Sequence, residues 1–138
     1  MNTILLPINP EHVENILNGS KRYEFRRVRC KRKIDTILIY ATHPVKLVVG
    51  EVTVLDVIED SKERVWKATS EFSGISEEFF NEYYEDTQHA VAYKLGSVTA
   101  FKNPIPLDSL GVKSPPQSFM YVPDSMITRV NAEKDMSA

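Results

Sequence analysis

Apolar positions along this chain fall into short runs whose spacing changes from helical to alternating and back. Val13, Ile16 and Leu17 recur at helical spacing behind Asn9 and Pro10, a capping side chain followed by a proline suited to the first helical position. The spacing predicts a helix over Pro10 to Asn18, with Gly19 in the left-handed position after it, where a side chain would clash. From Tyr23 to Arg27 the pattern alternates: Tyr23 and Phe25 share one face, Glu24 and Arg26 the other, as in a half-buried strand. Ile34 to Ala41 and Leu47 to Ile58 are rich in Val, Ile and Leu and predict two further strands, separated by a proline-containing turn. Gly50 marks a bulge or a close backbone approach in the second of them.

The polar stretch from Asp60 to Thr69, with Val65, Trp66 and Ala68, and the segment capped by Ser76, with Phe79, Phe80, Tyr83 and Tyr84, read as two short helices interrupting the sheet. The aromatic residues of these helices are expected to serve packing. Alternation resumes over Ala90 to Phe101 around Val91, Tyr93 and Leu95, and Phe119 to Val122 is a short last strand beyond a stretch rich in proline. The expected class is α+β, mainly β: one domain over residues 1–130, with a frayed tail from Asn131 to Ala138 that has little to bury. A small curled barrel with inserted helices suits these strands, because closure removes exposed edges. A doubly wound fold does not, since strands and helices fail to alternate regularly.

At 138 residues the chain is sized for one core. Its longest apolar runs fall far short of the roughly 20 residues needed to span a bilayer, and MNTILLPINP lacks the basic start of a secretory signal. A soluble protein resident in the cytoplasm is expected. Cys30 is the only cysteine and is expected to be a solvent-near thiol.

Charge changes the picture through its distribution. The net charge is only −2, yet Lys21, Arg22, Arg26, Arg27, Arg29, Lys31, Arg32 and Lys33 place eight cations in 13 residues, with Glu24 the only acid among them. A local positive field on an otherwise acidic body favours one anion-facing surface over general stickiness. No helix-turn-helix pattern is present, so DNA reading in a major groove is not indicated.

The most informative segment is GSKRYEFRR, Gly19 to Arg27. Strand residues two apart project the same way at about 7 Å, so Glu24 and Arg26 stand side by side, and a turn at Gly19 can bring Lys21 over the same surface. A carboxylate accepts from the amine or ring N–H of a base, while Lys21, Arg26 and Arg27 suit phosphate. The competing reading is a surface Glu24–Arg26 ion pair of little consequence. Two further places carry candidate contacts. Thr42 and His43 sit in the turn before Pro44, and Gln117 and Ser118 lie beside Phe119 in SPPQSF, where an amide can pair with a base edge. Phe119 itself is expected in the core. His12 and His89 have no companions at metal-ligand spacing, so neither a metal nor another cofactor is expected.

The stretch ILNGSKRYEFRR resembles the G-x-K-x-x-E-x-R signature of the ASCH domain, a branch of the PUA-like β-barrel superfamily. IYATHPVKLVVGEVTV is similar to the strand pair that follows in that family, and SPPQSFMYV to its closing segment. Gly19, Lys21, Glu24, Arg26, Pro44, Gly50, Glu51, Pro116, Gln117 and Phe119 fit, covering nearly the whole chain to Val122. The resemblance implies a small barrel with a cleft between barrel and helix that binds RNA or a modified nucleoside. Some members are amidohydrolases of N4-acetylcytidine that use a lysine, a threonine and a glutamate. Lys21 matches the lysine, Glu24 stands where they have threonine, and Glu71 is an approximate match for the glutamate. The leading expectation is an RNA- or nucleotide-binding module. The alternatives are hydrolysis of an acylated nucleoside with Lys21 and Glu24 as the catalytic pair, and a regulatory module with a protein partner.

Overall fold

The computed structural model describes residues 2–136. Its elements run β1 (Thr3–Ile8), α1 (Pro10–Leu17), β2 (Tyr23–Arg26), β3 (Thr36–Ala41), β4 (Leu47–Ser61), α2 (Lys62–Thr69), α3 (Glu77–Tyr83), β5 (His89–Ile105), β6 (Met120–Tyr121) and α4 (Asp124–Glu133). Short 3-10 turns at Ser70–Phe72 and Leu107–Leu110 complete it. The strands form one mixed sheet in the order β2-β5-β4-β3-β1-β6, with β1 parallel to β3 and the other pairs antiparallel.

The α+β, mainly β class is as expected. Closure is not: β2 and β6 are the two edges of an open sheet, barrel-like only in its curl. That curl comes from the long β4–β5 pair, whose register shifts at several points. At Gly50, next to one of these shifts, an added Cβ would lie 2.6 Å from the Thr99 carbonyl oxygen, so the close approach expected of that glycine is present.

The sheet is buried on both faces, and β1 shows why. Ile4, Leu6 and Ile8 join Ile37, Ile39, Val52, Val91 and Tyr93 under α1, which contributes Val13 and Ile16. Leu5, between them, points the other way to Leu38, Tyr40, Val48, Phe101 and Ile105, where α4 adds Met126 and Val130. A third cluster packs α2 and α3 over the β2–β5 edge through Val65, Phe80 and Tyr84 against Phe25, Ala90 and Ala92.

Two expectations about exposure change. Cys30 is buried, and its N–H donates to the Tyr93 hydroxyl at 2.9 Å, so it is not a solvent-near thiol. The segment beginning at Asn131 does not fray there. It continues α4, and the Asn103 N–H and side-chain amide donate to the carbonyl oxygens of Lys134 and Glu133 at 2.9 Å each. Lys134 also pairs with Glu51 at 3.0 Å. Residues 137 and 138 of that tail lie outside the described residues.

Candidate functional site

The site is built from the turn between α1 and β2. The Asn9 side chain accepts from the Glu11 N–H and opens α1; at its other end Gly19 takes φ +86°. This turn lets the Lys21 N–H return to the Asn15 carbonyl oxygen at 2.9 Å and sends the Lys21 side chain inward. Lys21 is 3% exposed. Its Nζ donates to the Ser73 carbonyl oxygen at 2.6 Å and lies 4.8 Å from the centre of the Phe25 ring. Burial lowers the Lys21 pKa from its ordinary value, and the nearby Glu24 carboxylate opposes the shift.

On β2 the period of two places Glu24 and Arg26 together as expected. Arg26 Nη2 and Nε donate to Glu24 Oε2 at 3.0 and 3.2 Å, and Nη2 also donates to the Pro7 carbonyl oxygen at 2.8 Å. This is not a surface pair: Glu24 is buried, and the Arg26 side chain is 20% exposed. The bond to Pro7 ties β2 to the end of β1, two strands that are not neighbours in the sheet.

Lys21, Glu24 and Arg26 line one cavity of about 150 Å³ with His12 of α1 and with Phe79 and Tyr83 of α3. Its apolar walls are completed by Ile8, Phe25 and Ile75. His12 meets the edge of Phe79 at a centroid distance of 5.3 Å. Its Nδ1 is buried and has no hydrogen-bond partner among the described residues. Burial first, then the Lys21 charge, lowers the His12 pKa from its ordinary value, against the smaller opposing pull of Glu24 and Glu11, and so favours the neutral ring. Arg27 stands at the rim, its guanidinium 4.0 Å over the Tyr83 ring and its Nε donating to the Tyr83 carbonyl oxygen at 3.0 Å.

The other candidates are placed elsewhere. The Thr42 N–H donates to the Ile8 carbonyl oxygen at 3.1 Å, beside the cavity but not lining it. His43 is exposed in the following turn, which flanks a separate apolar groove against α1. Gln117 and Ser118 are exposed in the loop before β6 and do not line the cavity, and Phe119 packs edge-on to Tyr121 against the core. Glu71 is exposed on the 3-10 turn, in a groove on the far side of His12.

The basic segment is not one free strip of charge. Arg22 lies over Phe72, Arg29 pairs with Glu59 at 3.5 Å, and Arg32 lies over Tyr121. Lys31 and Lys33 are exposed and have no ion pair among the described residues.

Sequence reasoning missed His12, Phe79 and Tyr83. The aromatic run of α3 splits: Phe80 and Tyr84 enter the core, while Phe79 and Tyr83, also four apart, face the cavity. Two aromatic pairs, each at helical spacing, were the available signal. Nothing in the sequence sets His12 apart.

Comparison with known proteins agrees with this architecture. The chain is 31% identical over 118 residues to the ASCH domain-containing ribonuclease of Zymomonas mobilis, a match covering 82% of this chain and 79% of the relative. It is 28% identical over 121 residues to a protein named ATP synthase subunit alpha from Ureaplasma parvum, a match covering 87% of this chain but only 15% of that relative's length. The crystal structure of ASCH from Zymomonas mobilis superposes with a TM-score of 0.87 at 27% identity, covering 94% of both chains. The model of the ASCH domain matches residues 6–99, more than half of the chain and all of the β2 motif, and the chain belongs to the ASCH domain family.

Proposed function

We propose that this chain binds single-stranded RNA by taking one base into the cavity of Lys21, Glu24 and Arg26. The observation that carries the reading is a cavity of about 150 Å³ that joins aromatic walls to charged hydrogen-bonding groups. A space of that size holds one six-membered ring. Phe79, Tyr83 and His12 offer ring faces and edges, the Glu24 carboxylate accepts from a base N–H, and Lys21 and Arg26 donate to a base carbonyl or a phosphate. A base inside a duplex cannot reach such a cavity, so an unstacked base is the fitting ligand.

A second reading, cleavage of the bound RNA, is favoured by the Zymomonas relative that is named a ribonuclease. Here His12 can take the proton of a ribose 2′-hydroxyl as its oxygen bonds to the adjacent phosphorus, the bond from phosphorus to the 5′-oxygen breaks and that oxygen takes a proton from water, while Lys21 can offset charge on the phosphate. Hydrolysis of an acylated nucleoside draws less support. The carboxylate of Glu24, which stands in the place of the threonine, is already engaged by two Arg26 donors.

The test is fluorescence anisotropy with a labelled single-stranded RNA, followed by gel analysis of the same mixture for shortened products. Lys21→Ala and Arg26→Ala are each expected to weaken binding by about tenfold or more, the worth of a charge-assisted contact. Unchanged affinity in both variants would take the cavity out of RNA binding. Products formed by the wild type and lost in Lys21→Ala would promote the second reading.

A further inference from the structure

Beside the ring-sized cavity lies a second, wider space. His12, Ile75 and Phe79 form a wall common to the cavity and to a groove of about 520 Å³ between α1 and the segment leading into α3. The chemistry changes across that wall. Beyond it the groove is lined by Ser20, Ser70, Ser76, Glu11 and Glu71, with no Lys or Arg among its lining residues; Ser20 Oγ donates to the Asn15 carbonyl oxygen and keeps its acceptor capacity, and Ser76 Oγ accepts from the Phe79 N–H and keeps its donor. A phosphate finds no counter-charge there. A sugar hydroxyl, which both donates and accepts, finds partners of both kinds.

His12 lines both spaces. Its Nδ1 has no partner among the described residues, and a buried polar atom left without one is the exception in folded proteins. The neutral ring has one donor and one acceptor to offer. If one six-membered ring fills the cavity, the attached sugar lies outside it, and the groove that shares His12, Ile75 and Phe79 with the cavity is a neighbouring space with hydroxyl-bearing walls.

We propose that the groove beside His12 is a ribose subsite, in which His12 and the serine hydroxyls engage the 2′-hydroxyl of the nucleotide whose base occupies the cavity. The inference rests on the reading of the cavity as an RNA site and adds the means by which RNA is told from DNA, since the 2′-hydroxyl is what distinguishes them.

The experiment titrates the full chain against one short single-stranded sequence in two forms, with riboses and with 2′-deoxyriboses, uracil being retained in both. Wild type is expected to bind the ribose form about tenfold more tightly, as one or two neutral hydrogen bonds allow. His12→Phe keeps an aromatic ring against Phe79 but removes both nitrogens, and the ratio between the two forms is expected to fall toward one. His12→Asn retains a donor and an acceptor and is expected to recover part of the ratio; it also serves if the phenylalanine variant melts abnormally. Equal binding of both forms by wild type, or an undiminished ratio in folded His12→Phe, overturns the ribose subsite. The RNA reading then still stands if Lys21→Ala weakens both forms. Failure of wild type to bind either form overturns both.

Discussion

The Lys21 ammonium donates to the Ser73 carbonyl oxygen at 2.6 Å across 52 residues of sequence. This bond joins the segment before β2 to the turn before α3, two segments that both contribute lining residues to the cavity. Gly74 lies directly against the lysine stem. An added Cβ would be 2.5 Å from Lys21 Cβ, and the Gly74 φ of +70° disfavours any side chain. Gly74→Ala is therefore expected to destabilise the fold by about 1–3 kcal/mol through backbone strain and to weaken RNA binding as Lys21 is displaced. Thermal melts and anisotropy check the two effects separately. A variant that melts and binds like wild type would show that Lys21 is not held by this turn.

Glu24 holds Arg26 in place, and Arg26 in turn holds the end of β1. Replacing Glu24 with Gln keeps the shape but removes the charge from a buried position. The expected loss is about 1–3 kcal/mol of stability, because the Arg26 guanidinium loses its charged acceptor. Urea unfolding measures it. Affinity for RNA is expected to drop as well, and a Glu24→Gln protein of wild-type stability and affinity would return the pair to the status of a surface contact.

Salt dependence separates the exposed cations from the engaged ones. If the backbone of a bound strand runs from the cavity toward the loop after β2, Lys31 and Lys33, exposed and without an ion pair among the described residues, can meet its phosphates. Binding affinity is then expected to fall with salt at a slope near −0.7 per phosphate contacted, and Lys31→Gln with Lys33→Gln to flatten that slope. An unchanged slope would confine phosphate contacts to the cavity rim.

His12 gives stability a pH signature of known sign. Its pKa in the folded protein lies below the ordinary 6.5, chiefly because burial disfavours the charged ring. The unfolded chain therefore takes up the proton first as pH falls. His12 contributes its full share of stability above pH 6.5, and that share is lost as pH falls from 6.5 through the folded-state pKa. His12→Phe is expected to flatten this part of the profile, measured by denaturant midpoints between neutral and mildly acidic pH. An identical profile in the variant would mean that His12 is charged as readily in the folded protein as in the unfolded chain.

The local elements of this protein were largely legible in its sequence. Asn9, Pro10 and Gly19 bound α1, alternation over Tyr23 to Arg26 fixes which side chains share a face, the Val-, Ile- and Leu-rich runs give β3 and β4, and alternation around Val91, Tyr93 and Leu95 gives β5. These are short-range consequences of helical and extended geometry and need no partner to be read. Thr3–Ile8 escaped because a strand buried on both faces shows no alternation, and Pro7 argues against a strand. Asp124–Glu133 escaped because its apolar face of Met126, Ile127 and Val130 gains meaning only against Leu5, Tyr40 and Ile105, residues distant in sequence.

The candidate site divides in the same way. Lys21, Glu24 and Arg26 stand together because they lie within six residues on one turn and one strand, so the sequence by itself determined their grouping. That Lys21 is buried, that Arg26 reaches Pro7, and that His12, Phe79 and Tyr83 line the cavity, whereas Thr42, His43, Gln117 and Ser118 do not, was decided only by tertiary structure. The physical reason is packing. With Phe80 and Tyr84 seated in the core, the helical repeat turns Phe79 and Tyr83 toward α1, and the space left between the two helices and the end of β1 is the cavity.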